Sequence, residues 1–284
     1  MIVIYKETIW TKRDVERYGI TSLTEDYWLT NNRYADVRGA SLFISFSGVT
    51  DWGLFRRVRQ NGIPVVFIGG QKIPYRANWK TRMRTTTESI LNRVKGFPDP
   101  IPLKYGDALR QPNPQAGNNG PWVFIDQAFG HNPESMAMNI DIPNRQRYEM
   151  HVAGFLKNFP EVIVAGHPLN AATHFWNKTI IRGKTLDLIE QSKGVIGHCS
   201  TTIAWAVWCG KPVVLLTTPD LRKSIYQMYI EGISDALEIP IHNPEDAITV
   251  KEIPEETRQW YVEESYDLKA PVLQEIIDKY RRKE

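Results

Sequence analysis

The sequence predicts an α/β fold built from two βα domains, each carrying a parallel sheet. Three observations carry this expectation. Short apolar runs alternate with helical stretches at close spacing, the strand, helix, strand order that parallel sheets with crossover helices require. The alternation stops at Arg110–Pro121, RQPNPQAGNNGP, a stretch of Pro, Gly and Asn with nothing to bury, and then restarts. A chain of 284 residues, 42% hydrophobic and 24% charged, also exceeds one small domain. The expected division is 1–115, 116–252 and a helical tail over 253–284.

In the first domain the apolar runs Ile2–Tyr5 and Ser41–Phe46 read as buried strands. A helix over Trp52–Gln60 follows, then the turn Asn61-Gly62 and a strand Ile63–Ile68 closed by Gly69-Gly70. A helix over Trp79–Val94 comes next, stopped by Gly96, Pro98 and Pro100. In the second domain the strand Trp122–Ile125 leads through a loop with His131 and Pro133 to a helix over Asn144–Asn158. There Tyr148, Val152, Leu156 and Phe159 recur at helical spacing and form one apolar face. The strand Val162–Ala165, the helix Thr185–Gln191 and the strand Val195-Ile196 continue the pattern. A helix over Thr201–Cys209 ends at Gly210 with Pro212 beyond, and Val213–Leu216 is the next strand. From Pro254 the chain is amphipathic and helical.

The net charge of +3 conceals a segregation. Between Trp52 and Lys95 ten Lys/Arg face the single acid Glu88, a net +9, so the remainder is −6. Such a split creates a local positive field that the total hides. No apolar run approaches the roughly 20 residues that span a bilayer, and MIVIYKETIW lacks a signal-peptide pattern. A cytoplasmic protein is expected. Cys199 and Cys209 on one helix would lie about 15 Å apart, beyond disulfide reach, which fits a reducing compartment. There is no Asp-x-Asp triplet and no His/Cys spacing for a ligand set, so no metal is expected.

The residues that point to chemistry lie in the second domain. His167-Pro168 follows a buried strand directly, and Gly197-His198-Cys199-Ser200-Thr201-Thr202 also stands between strand and helix. In a parallel sheet both loops emerge at the carboxyl ends of strands, where ligands bind. Ser200 is expected as an N-cap, with the following amides and the Ser/Thr hydroxyls offering donors to phosphate oxygens. Each motif alone is also an ordinary cap or turn; their order in one sheet is what singles them out.

Val123-Phe124-Ile125-Asp126-Gln127, Val162 through Pro168, Leu188 through Ser192, Gly197 through Thr202 and Gly210-Lys211-Pro212-Val213-Val214 together resemble the donor half of GT-B glycosyltransferases. The likeness covers roughly residues 122 to 218. It is nearest to the branch with bacterial sialyltransferases, Kdo transferases of capsule assembly and polyglycerol-phosphate transferases. The resemblance implies two Rossmann-like domains facing a cleft, with residues 1–115 binding the acceptor and 116–252 a nucleotide-sugar. It also implies that the tail over 253–284 packs back on the N-terminal domain. His167, Ser200, Thr201 and Thr202 then hold the donor phosphate, with His198 and Gln127 as further donor contacts. The nucleotide-sugar is a substrate, and no cofactor is implied.

The branch's sialyltransferases supply their base from two acids followed by glycine, whereas Glu25-Asp26 here is followed by Tyr27. An inverting transfer needs a general base to take the acceptor proton as the donor phosphate departs. Asp51 is the candidate, in the loop after the strand Ser41–Phe46, with Glu7, Asp36 and Asp107 as rivals; a retaining course stays open. The basic segment lies in the acceptor half. Arg56, Arg57 and Arg59 share a helix, and Arg76, Lys80 and Arg84 fall at four-residue spacing beside Arg82. Tyr75 and Trp79 lie among them and could stack on bases or sugars. Phosphate-backbone binding is the simplest use of such a surface. The chain therefore also resembles the phage glycosyltransferases that modify hydroxymethylated pyrimidines in DNA. An anionic bacterial surface glycan is the alternative acceptor; a nucleotide-sugar epimerase and a non-catalytic DNA-binding protein are the other readings.

Overall fold

A computed structural model describes residues 1–5, 27–30, 32, 34–46, 52–68, 74, 101–104, 106–113, 117, 119–130, 142–167, 174–175 and 177–281. The fold is α/β. The described residues divide into two compact units, one within Met1–Lys72, Ala77–Gln111 and Tyr266–Glu284, the other within Ile73–Arg76 and Pro112–Ser265.

The first unit holds β1 (Ile2–Tyr5), β2 (Tyr27–Thr30), β3 (Leu42–Ser45), α1 (Trp52–Gln60), β4 (Val65–Phe67) and α2 (Gly106–Arg110). Its strands pair in the order β2-β1-β3-β4, all parallel. Side chains alternate across the sheet. Val3, Tyr5 and Phe43 face Leu54 and Val58 of α1. Ile2, Ile4, Leu42, Ile44 and Val66 face the other way, and there the C-terminal helix closes the core with Leu273, Ile276 and Ile277.

The second unit holds β5 (Trp122–Ile125), α3 (Arg145–Leu156), β6 (Ile163–Gly166), β7 (His174–Phe175), β8 (Lys178–Arg182), α4 (Thr185–Gln191), β9 (Gly194–Gly197), α5 (Ile203–Trp208), β10 (Val213–Leu216), α6 (Tyr226–Leu237), β11 (Ile241–His242) and α7 (Glu255–Tyr266). The tail helix of the first unit, Leu273–Tyr280, is α8. The sheet order is β11-β10-β9-β5-β6-β8-β7, parallel except for β7 against β8. Every residue of β9 and β10 is buried, which is why these strands read as continuous apolar runs. Gly166 ends β6 where a Cβ would run into the Ile180 Cγ2 methyl, so a side chain here would force Ile180 of β8 to shift. Gly210 closes α5 at φ +68°, the left-handed conformation expected just past a helix end.

Several elements differ from expectation. The helix expected over Thr201–Cys209 is shorter, Ile203–Trp208, because Ser200–Thr202 form a turn in which the Ser200 hydroxyl takes up the Thr202 amide at 3.2 Å. The tail is two helices, α7 and α8, since Pro271 interrupts the helical run between them. The strands β2, β7, β8 and β11 and the helices α2 and α6 are additional to those read from the sequence. The helix expected over residues 79–94 lies outside the described residues.

Candidate functional site

The strand order places a switch in the second sheet. From β5 the chain builds outward through β6 to β8 and β7, then returns to lay β9, β10 and β11 on the other side. Connections leave β5 and β9 in opposite directions, and the crevice between their carboxyl ends is where an open α/β sheet receives ligands. Asp126-Gln127 follow β5, His198 through Thr202 follow β9, and His167 follows β6.

The β5 loop ties the other two together. The Asp126 carboxylate, 5% exposed, accepts from the Ala128 amide at 2.9 Å and from the His167 amide at 3.3 Å. The Gln127 side-chain Oε1 accepts from the Cys199 amide at 2.8 Å, and its Nε2 donates to Cys199 Sγ at 3.6 Å. Gln127, His167, Ser200, Thr201 and Thr202 all keep partial exposure. Among the described residues the amides of Ser200 and Thr201 meet no protein acceptor, and the Ser200 hydroxyl, itself an acceptor for Thr202, keeps its proton for another group. A loop with unspent donors at a half-open position is suited to an anion. Because α5 has six residues, these loop donors, more than a long helix dipole, define the site.

His198, expected as a donor contact, sits differently. It is 0% exposed, directly after β9, a strand buried on both faces. Its Nδ1–H donates to the Leu216 carbonyl at 2.6 Å, which leaves Nε2 as acceptor for the Tyr148 hydroxyl at 2.9 Å. The imidazole packs against Phe124, Phe129 and Tyr148, each with ring centroids 5.6 Å away. Burial pushes it down to about 4, against the opposing pull of the Leu216 carbonyl and the Asp126 charge. His198 is therefore a neutral strut joining β9, β10 and α3 beneath the loop. Next to it, burial pushes the Cys199 thiol up to about 12, partly offset by the bond from Gln127. Both cysteines are free thiols.

Asp126, Tyr148 and the pair Arg147–Asp220 belong to this end of the sheet and are not among the site residues read from the sequence. Asp126 had one visible signal, its place directly after a buried strand. Asp220 lies in the loop after β10, fully buried, and takes a two-pronged bond from Arg147 in the first turn of α3. Among the described residues no group of three His, Cys, Asp or Glu could hold a metal ion, and no helix is long and apolar enough to cross a membrane.

In the first unit, Arg56 and Arg59 are exposed on α1 and Arg57 is half-buried. The Arg59 guanidinium lies 5.6 Å from the Phe55 ring centroid, and Arg57 and Arg59 occupy the last turn, where cations suit a helix end. Asp36, a rival base, is paired at 2.5 Å with Arg38, whose bonds hold its carboxyl at about 2. Such a carboxylate is a weak proton acceptor. Asp107 lies half-buried in the first turn of α2. Asp51, Glu7, Arg76, Lys80, Arg82 and Arg84 lie outside the described residues.

No protein-family model and no curated protein matches the chain. Among solved structures, MurG of Acinetobacter baumannii is similar over 85% of this chain and 73% of its own, at 12% identity and TM-score 0.42. The kitacinnamycin glycotransferase is similar over 85% of this chain and 76% of its own, at 10% identity and TM-score 0.45. KpsC of Thermosulfurimonas dismutans, a beta Kdo 2,4 transferase, is similar over 76% of this chain and 79% of its own, at 11% identity and TM-score 0.29. The fold assignment rests on the strand pairing described above.

Proposed function

We propose that the chain is a glycosyltransferase whose second unit binds a nucleotide-sugar at the carboxyl ends of β5, β6 and β9. One observation carries the reading: a single loop, Asp126-Gln127, holds both the His167 turn and the Cys199–Thr202 turn at the sheet's switch point. The residues at these turns are also those through which the sequence resembles the GT-B donor half. In this reading the Ser200 and Thr201 amides and the Ser200, Thr201 and Thr202 hydroxyls bind phosphate oxygens, and the His167 imidazole adds one more donor. They stabilise the negative charge that gathers on the phosphate as the bond to the sugar breaks. Asp51 of the first unit takes the proton from the attacking acceptor hydroxyl. The donor-phosphate assignment is tested by titrating His167→Ala and Ser200→Ala with a panel of nucleotide-sugars. Each loses a charge-assisted bond worth about 1.5–3 kcal/mol, so affinity falls about tenfold or more. Wild-type affinity in both variants would place the phosphate elsewhere.

For the acceptor, the reading is a polyanion, with hydroxymethylated DNA as the favoured case and an anionic surface glycan as the alternative. The +9 segment supports it, with Arg56 and Arg59 turned to solvent on α1. Retardation of duplex DNA in a gel at low salt, lost as salt rises, is the expected result. Absence of retardation on any DNA, with transfer onto an anionic glycan, would select the alternative.

A further inference from the structure

Arg147 is held at both ends. Its amide donates to the Asn144 side chain, which caps α3, at 2.9 Å. Its Nε donates to Asp220 Oδ2 at 2.9 Å and its Nη2 to Oδ1 at 2.5 Å. The two partners are unequal. The Asp220 side chain has no exposed surface, whereas 42% of the Arg147 side chain is open to solvent. A guanidinium carries five N–H donors in a rigid fork, and Asp220 takes two of them. The other three are not taken by Asp220, in a side chain that is 42% open.

The place of this fork in the fold gives it a use. α3 follows β5, so its first turn lies at the carboxyl ends of the strands. Tyr148, the next residue, reaches His198 directly beneath the Cys199–Thr202 turn. Asp220 follows β10, the neighbour of β9. The fork's anchor and the Cys199–Thr202 turn therefore follow adjacent strands at the same end of the sheet.

Building on the donor-site reading, we propose that Arg147 is a second anion contact of that site and that the donor is a nucleoside diphosphate sugar, not a nucleoside monophosphate sugar. The Ser200–Thr202 turn takes one phosphate and the free edge of the Arg147 fork takes the other. Asp220 keeps the fork in register, so no side-chain rotamer freedom is lost when the donor binds. The buried carboxylate fixes two of the fork's donors, and the half-open guanidinium keeps the rest of its donors for a ligand.

The test is calorimetric titration of the purified chain with UDP, CDP, GDP and ADP and with the four matching monophosphates. The best-bound diphosphate should exceed its monophosphate by about ten- to a hundredfold, the worth of a charge-assisted fork contact. Arg147→Gln should remove that preference while the monophosphate's Kd stays within about twofold. Arg147→Gln leaves Asp220 charged and unpaired, so the double variant Arg147→Gln/Asp220→Asn, which buries no charge, keeps the test alive if the single one does not fold. Equal binding of mono- and diphosphate by wild type, or equal weakening of both in the variants, overturns the diphosphate assignment and leaves the donor-site reading standing. Absence of binding of all eight nucleotides by a folded wild-type chain refutes that reading and this proposal with it.

Discussion

Tyr148→Phe isolates one hydrogen bond beneath the candidate site. The ring stays in place against Phe129, 5.6 Å away edge to face, so the change removes only the hydroxyl. That hydroxyl supplies the proton accepted by His198 Nε2 at 2.9 Å, in a side chain with no exposed surface. Without it a buried acceptor has no donor, a cost of about 1–3 kcal/mol. The expected loss in urea unfolding at pH 8 is therefore in that range, with an unchanged m-value. The same strut gives wild type an acid slope. His198 titrates near 4 in the fold and near 6.5 when unfolded. Between those values the unfolded chain binds a proton that the folded one refuses, so stability falls as pH drops through that window, by about 3 kcal/mol at its acid end. His198→Asn removes the titrating group and should flatten this part of the profile. A Tyr148→Phe cost below about 0.5 kcal/mol, the level of ordinary surface changes, or an acid slope that persists in His198→Asn, would refute the strut.

Further outcomes follow from other contacts. Gln127→Ala frees the Cys199 amide and should weaken nucleotide binding in titration more than it lowers Tm, since the bond it removes positions the turn and does not build the core. Gly166→Ala puts a methyl against Ile180 Cγ2 and should cost about 1–3 kcal/mol by overpacking, read from the urea midpoint. Ile276→Ala should cost about 2–5 kcal/mol, because this tail residue is 2% exposed in the core of the first unit. In native protein at pH 8 a disulfide reagent should modify Cys209 quickly and Cys199 only on unfolding, since burial holds the Cys199 thiol at about 12. Equal native reactivity of both thiols would contradict the packing of the turn.

What was legible in the sequence follows from where the information resides. Ile2–Tyr5, Val123–Ile125 and Val213–Leu216 announce themselves because strands buried on both faces need apolar residues in succession. β8, KTIIR, was missed because it buries only Ile180, and α6, YQMYIEGISDAL, because Gly232 interrupts its helical run. His167 and Ser200–Thr202 stood out by following recognisable strands. Asp126 and Asp220 did not, since their partners His167 and Arg147 lie 41 and 73 residues away and no local pattern links them. His198 reads as a ligand contact because it neighbours the turn, but it directly follows a strand buried on both faces and packs among Phe124, Phe129 and Tyr148.

The route of the chain has a consequence for synthesis. The first unit opens with β1, yet the face of its sheet that carries Ile2 and Ile4 is completed by Leu273, Ile276 and Ile277. Domains commonly fold in the order in which they leave the ribosome. Here the order is changed: the second unit holds its whole sheet within Pro112–Ser265 and can close first, while the core around Ile2 and Ile4 is complete only once Leu273, Ile276 and Ile277 are made. A chain cut short before Leu273 would thus present a folded second unit joined to a first unit whose apolar core is incomplete, the kind of nascent species that holdase chaperones recognise.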